Sequence, residues 1–160
     1  MYAFVQWRPP LPMFKLYSKS CQYALRALVH AGQPEAAGRV QAKDICEQAG
    51  VPESFTRKVL QALAAGGLLV AQRGPGGGYL LTRAPAEITL LEVIKLVDGA
   101  DTFDYCVLGM RECSGENPCP LHALWLKSKV PLLKSLNKTT LADLIAATSR
   151  RAEAVAKKGG

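Results

Sequence analysis

The sequence predicts a mainly α-helical fold: a winged helix-turn-helix DNA-binding domain with a two-stranded wing, followed by a long C-terminal helix. Three observations carry this prediction. Apolar residues recur at helical spacing in three segments between Ser18 and Ala65. The pattern then becomes extended on either side of the glycine-rich "RGPGGG" that begins at Arg73. The two helices ahead of that hairpin are joined by the short "AGVP" at 49–52. Two helices, a tight turn and a glycine-tipped hairpin are the plan of a winged helix-turn-helix, whose second motif helix lies in the DNA major groove.

The elements follow in order. Ser18 or Ser20 caps a first helix that runs through Ala31, with Cys21, Ala24, Leu25 and Leu28 on its apolar face and Gly32 as its stop. "GQPEAAGR" is a loop. A second helix covers Gln41 to Ala49, with Ala42, Ile45, Cys46 and Ala49 on one face and Gly50 as a left-handed exit. Pro52 suits the first position of a third helix, which buries Phe55, Val59, Leu60 and Leu63 and ends at Gly66–Gly67. "LLVAQ" and "YLLT" are the strands of the hairpin. Thr89 and Glu92 match a capping box, and Ile88 with Val93 a hydrophobic staple, at the start of a fourth helix that reaches Gly99. After a cysteine-bearing loop, a fifth helix starts near Pro120, with Cys119 as its N-cap and His122 in its first turn. Pro131 should kink or divide it, because proline removes a hydrogen bond and clashes one turn back. Thr140 and Asp143 mark a last helix start, and "SRRAEAVAKKGG" is expected to be a fraying basic tail.

The chain has 160 residues, 20 Lys and Arg against 13 Asp and Glu, and a net charge of +7. That length suits one domain, and the basic balance fits a polyanionic partner such as DNA. No apolar run reaches the ~18–20 residues of a membrane span, so no membrane partner is expected. "MYAFVQWRPPLP" makes a poor signal peptide, which leaves the cytoplasm as the expected location. Five cysteines in such a chain point to thiol, metal or redox chemistry and not to a disulfide framework. The expected organisation is a loose extension at 1–14, the DNA-binding domain at 15–100, the cysteine loop at 101–122, C-terminal helices at 120–148 and a basic tail at 149–160. An enzyme is not expected: there are only two histidines, with no carboxylate pair or cofactor fingerprint beside them.

Glu53, Ser54, Thr56, Arg57 and Lys58, with Gln61 one turn on, form the expected outward face of the third helix. Ser and Thr suit phosphates or base edges, and Arg suits the O6 and N7 acceptors of guanine. The hairpin is not a phosphate-binding loop of a nucleotide enzyme: it lacks the Gly-Lys-Ser/Thr ending, and Tyr79 stands where G-x-G-x-x-G needs its last glycine. As a wing, it would bring Gly76 and Gly77 close to the DNA backbone and direct Arg73 into a minor groove.

Cys106, Cys113, Cys119 and His122 give Cys-x6-Cys-x5-Cys-x2-His. Gly109, Gly115, Asn117 and Pro118 make the intervening chain a loop that can gather thiols, as cluster ligation requires. A helix N-terminus at Cys119 would favour its thiolate and keep His122 neutral. Three Cys and one His also make an acceptable zinc set, and a bare thiol switch remains a third reading. Cys21 and Cys46 lie on apolar faces and read as core; His30 reads as a surface or helix-end residue.

Taken together, "LYSKSCQYALRAL", "AKDICEQAGVPESFTRKVLQAL", "GLLVAQRGPGGGYLL", "ITLLEVIKLVDG" and "CPLHALW…TTLADL" resemble the IscR/NsrR family of bacterial winged-helix regulators, over about Lys15 to Ala147. The resemblance implies a regulator, normally a repressor, that binds a palindromic double-stranded DNA operator as a homodimer. It makes the long C-terminal helix a dimerisation helix, with Leu121, Leu124, Trp125, Leu132 and Leu136 at the interface. It also implies an iron–sulfur cluster controlling DNA binding: a 2Fe-2S cluster on Cys106, Cys113, Cys119 and His122, or a 4Fe-4S cluster on the same cysteines with a fourth ligand from elsewhere. The signal would then be iron–sulfur status, oxidants or nitric oxide. Two positions depart from the family pattern: the first cysteine gap is one residue longer, and Arg57 stands where a Glu helps to choose between operators.

Overall fold

A computed structural model of the chain describes residues 16–33, 39–49, 52–111 and 113–157. The expected N-terminal extension and the exit at Gly50 lie outside these residues. Helix α1 (Lys19–Ala31) starts where the Ser18 hydroxyl accepts the Cys21 N–H at 3.1 Å. Its inner face, Cys21, Ala24, Leu25, Ala27, Leu28, Val29 and Ala31, is the centre of the core. Helices α2 (Ala42–Ala49) and α3 (Glu53–Ala65) pack on it as the helix-turn-helix. Pro52 is the residue ahead of α3 and not its first member. Gly66 and Gly67 end α3 through a Schellman turn: Gly67 takes φ +77° and the Leu68 N–H reaches the Leu63 carbonyl at 3.0 Å. A Cβ on Gly66 would lie 2.2 Å from Leu96, so this residue also sets how closely α3 meets the next helix.

The hairpin forms as β2 (Leu69–Gln72) and β3 (Gly78–Leu81), with Leu69 opposite Leu81 and Gln72 opposite Gly78. A third strand joins it. β1 (Arg39–Val40) lies antiparallel on the other side of β3, with Arg39 opposite Leu80, giving the order β1-β3-β2. The sequence pattern places Arg39 in a loop, because two residues are too few to show a period.

Helix α4 (Leu90–Asp98) is capped by Thr89, which accepts the Glu92 N–H at 3.2 Å, while Ile88 and Val93 are fully buried. The Glu92 carboxylate pairs with Arg83, so only half of the expected capping box is present. Asp98 closes the domain: it accepts the Ser18 N–H at 2.7 Å and the Ser18 hydroxyl at 2.5 Å.

Helix α5 (His122–Lys138) and helix α6 (Leu141–Ala156) correct four expectations. Helix α5 starts after Leu121, so Cys119 is not its cap. It runs unbroken through Pro131, which with Lys127 is exposed in the single chain, so the proline ring meets no packed neighbour and costs the helix one backbone hydrogen bond. Leu136 is buried in the chain's own core and is not open to a partner. The basic tail is helical as far as Ala156. The Thr140–Asp143 cap is reciprocal, with bonds of 2.8 and 3.2 Å. The α5–α6 junction is fastened to the start of α4 by Leu90 N–H to the Thr139 carbonyl (2.9 Å) and Leu141 N–H to the Ile88 carbonyl (2.8 Å).

Cys21 is fully buried. Burial, reinforced by the Asp98 carboxylate, pushes its thiol up to about 12. The unfolded chain ionises this thiol near 8.5. Its contribution to stability is therefore intact below that pH and is lost as pH rises towards about 12. Denaturant titrations across that range should show an alkaline decline, at most about 1.4 kcal/mol per pH unit from this group. The decline should be shallower in Cys21→Ala; equal slopes in the two proteins would remove Cys21 as its cause.

Candidate metal centre and nucleic-acid interface

Glu53, Ser54, Arg57, Lys58 and Gln61 are exposed on α3. Arg57 is held by its neighbour one turn back, Nε lying 2.9 Å from the Glu53 carboxylate. Thr56 corrects the sequence reading, because it is only 1% exposed. Its hydroxyl donates to the Pro52 carbonyl at 3.3 Å and accepts the Cys46 thiol at 3.4 Å. A single position off the outward arc turns a candidate DNA contact into a contact between α2 and α3.

Arg73 is exposed at the wing. The wing glycines have internal reasons to be glycine. Gly74 and Gly76 take φ of +106° and +71°. A Cβ on Gly77 would lie 2.5 Å from the Gln72 carbonyl oxygen, and one on Gly78 would lie 2.8 Å from that of Val40. Sequence reasoning missed Arg39, whose guanidinium bonds the Gly76 carbonyl and the Gln72 side chain. Only strand pairing brings it to the wing.

The loop between α4 and α5 has little regular structure, yet it is well anchored. Gly99 leaves α4 with φ +108°. Phe103 is buried in the core. Asp104 pairs with Lys129 of α5 at 2.5 Å, and the Tyr105 hydroxyl donates to Asp101 at 2.6 Å. A turn at Gly109, where the amide bonds the Cys106 carbonyl at 2.8 Å, and another between Ser114 and Asn117 fold the chain back on itself. The Sγ atoms of Cys106, Cys113 and Cys119 consequently lie within 4.8 Å of one another. Cys106 and Cys119 are 3.6 Å apart, and Cys113 Sγ is 3.2 Å from His122 Nδ1. No disulfide joins them.

Burial works against the Cys106 thiolate, but hydrogen bonds from the Met110 and Leu108 amides and from the Cys119 and Cys113 thiols bring its pKa below the ordinary value. Cys119 moves the other way: burial raises it, and its hydrogen bond with Cys106 raises it further. This reverses the expectation of a Cys119 thiolate favoured by a helix N-terminus. Because α5 starts later, only the Leu121 amide acts in that direction.

The donor set fits a soft metal. Two thiolates on one tetrahedral ion with bonds of about 2.3 Å lie about 3.8 Å apart, and the Cys106–Cys119 spacing of 3.6 Å is close to that. A second sulfur–nitrogen pair stands beside the first.

Comparison with known proteins agrees with this picture. A family model described as "Rrf2: Iron-dependent Transcriptional regulator" matches residues 17–147. The chain is 36% identical over 131 residues to the HTH-type transcriptional regulator IscR of Escherichia coli O1:K1, covering 82% of this chain and 80% of that one. IscR of Cronobacter sakazakii is 35% identical over the same coverage. Among solved structures, T. potens IscR superposes with a TM-score of 0.64 at 27% identity, over 84% of this chain and 88% of its own. CymR, the global cysteine regulator of B. subtilis, shares the fold with a TM-score of 0.69 at 24% identity, over 84% and 98%.

Thr56→Val removes the hydroxyl that links α2 to α3. It should cost about 1 kcal/mol in a denaturant melt and leave the salt dependence of DNA binding unchanged. Undiminished stability with a reduced salt slope would return Thr56 to the DNA face.

Proposed function

The chain belongs to the Rrf2 family of iron-dependent transcriptional regulators, and from that premise we propose that it is a dimeric repressor whose hold on a palindromic operator is controlled by an iron–sulfur cluster. The observation that carries the proposal is the convergence of three thiols in the loop that joins the DNA-binding domain to α5. Cys106, Cys113, Cys119 and His122 would hold the cluster. When bound, it supplies a group that oxidants, nitric oxide or iron shortage can alter or remove. A 2Fe-2S cluster is favoured over a 4Fe-4S cluster because two donor pairs are already formed, Cys106 with Cys119 and Cys113 with His122. Zinc on the same donors is the competing occupant.

The chain's residues divide the work. Residues 15–100 would bind DNA, with Glu53, Ser54, Arg57 and Lys58 in the major groove and Arg73, Gly76 and Gly77 on the wing. Residues 101–122 would sense. Residues 120–148 would dimerise and set the two α3 helices about 34–36 Å apart, one turn of the duplex. Exposed apolar side chains at the start of α5 and along it support dimerisation: Leu121, just ahead of the helix, and Leu124, Leu126 and Val130 within it are 36%, 61%, 50% and 68% exposed. Trp125 and Leu132 are partly buried against the chain's own core and would border that interface. The function is regulatory and not catalytic. Among the described residues no helix is long and apolar enough to cross a membrane, and the proposed site of action is the cytoplasm, with DNA.

Protein purified under argon should carry two irons and two sulfides per chain and show visible absorption bands. His122→Ala and Cys106→Ala should lose them. A colourless zinc protein would overturn the cluster reading, and four irons per chain would replace one cluster type with the other. Cluster-loaded and cluster-free protein should differ in affinity for an operator selected from random duplexes; equal affinities would end the control mechanism. Leu124→Asp places a charge on the α5 stripe and should shift sedimentation from dimer to monomer, whereas Leu136→Ala should mainly lower stability, by about 2–5 kcal/mol.

A further inference from the structure

Arg39 reaches the wing from outside the hairpin. It lies in β1, opposite Leu80 of β3, and its side chain runs across a surface kept bare by glycine. A Cβ on Gly78 would stand 3.0 Å from Arg39 Cγ, and one on Gly76 would stand 3.5 Å from Nη1. At the far end, Nη1 donates to the Gly76 carbonyl and Nη2 donates to Gln72 Oε1 at 2.9 Å. Gln72 ends the outgoing strand, and Gly76 lies in the tip with φ +71°. One planar guanidinium therefore ties the end of the outgoing strand to the tip of the wing. The tip's own backbone adds Gly77 N–H to the Gly74 carbonyl at 2.9 Å. Glycine-rich chain loses the most conformational freedom on ordering, so a tip fixed in advance binds without meeting that cost at the moment of contact.

We infer that Arg39 is a positioning residue for DNA recognition: it fixes the wing tip, and so the place of Arg73, while contacting no phosphate itself. Two of its donors are turned inward onto the wing, and the planar fork makes both bonds from one side chain, which a lysine ammonium cannot reproduce. The inference rests on the reading that the wing meets DNA.

The test is a double-mutant cycle on full-length protein purified under argon, using the duplex that the wild type enriches from a random pool. Affinities are measured across a salt series for the wild type, Arg39→Ala, Arg73→Ala and the double variant. Arg39→Ala should weaken binding about tenfold with an unchanged slope of log K against log salt, and Arg39→Lys should not restore it. Arg73→Ala should lower the slope by about one unit, as expected for one lost cationic contact with the duplex. The double variant should bind within about twofold of Arg73→Ala, because an unplaced wing has nothing left to misplace. Additive losses, a slope lowered by Arg39→Ala, or an unaltered affinity would each overturn the inference and leave the regulator reading intact. Amide exchange in the DNA-free protein reads the brace separately: Gly77 should lose protection in Arg39→Ala, and retained protection would also overturn it. A wild type without any sequence preference would sink the regulator reading, and this inference with it.

Discussion

Fixation of the cysteine loop at both ends is the constraint on which the candidate site depends. Upstream, Asp98 takes two hydrogen bonds from Ser18, which joins the end of α4 to the start of α1. Phe103 then enters the core. Downstream, the chain enters α5, whose Leu136 is buried in the same core. A loop of this length would otherwise sample many arrangements, and gathering three thiols would cost conformational entropy. Anchoring both ends in the core lowers that cost. Burial pushes both thiols up, and the loop's hydrogen bonds separate them, bringing Cys106 below its ordinary value while Cys119 stays above.

The local signals were readable from the sequence. Ser18, Thr89 and Thr140 each cap the helix they were expected to cap, because a cap involves residues three apart and needs no tertiary knowledge. The Gly66–Gly67 stop was legible for the same reason. The cysteine spacing indicated that thiols could gather, although not that they would pair as Cys106 with Cys119 and Cys113 with His122. The misses are tertiary. Thr56 is polar but faces α2, Leu136 belongs to the chain's own core, and Pro131 sits in an unbroken helix where the chain itself packs nothing against it. β1 carried no periodic signal, and with it Arg39 was lost from view.

The wing illustrates how one motif can satisfy two demands. "RGPGGGY" suggested glycines kept small for the approach of DNA, but the turn itself already requires them at Gly74, Gly76, Gly77 and Gly78. Arg57 presents a similar overlap. Its pairing with Glu53 occupies the guanidinium in the free protein, but both side chains are more than half exposed. Exposed pairs of this kind contribute about 0–1 kcal/mol. In the proposed complex, a bidentate contact with a guanine edge, which contributes about 1–3 kcal/mol of discrimination, would offset the loss of this pair. The pair orients Arg57 without sequestering it.

Two attachments join α5 to the DNA-binding domain, and they differ in kind. At its C-terminal end, the Leu90–Thr139 and Leu141–Ile88 backbone bonds pin the α5–α6 junction to the start of α4. Towards its N-terminal end, the attachment is the cysteine loop itself, through His122 in the first turn and the Asp104–Lys129 pair. On the proposed reading, a change at the thiols would reach α5 at one end while these bonds hold the other, so its effect would be rotation rather than translation. Seventeen residues make a helix of about 25 Å, so a displacement of about 1 Å at the first turn is a tilt of only ~2°. In the proposed dimer a tilt that small would matter, because operator half-sites are read at a fixed repeat of about 34–36 Å. In the proposed dimer, this tilt is how a change at the thiols would become a difference in affinity, which is the condition for calling the coupling allosteric.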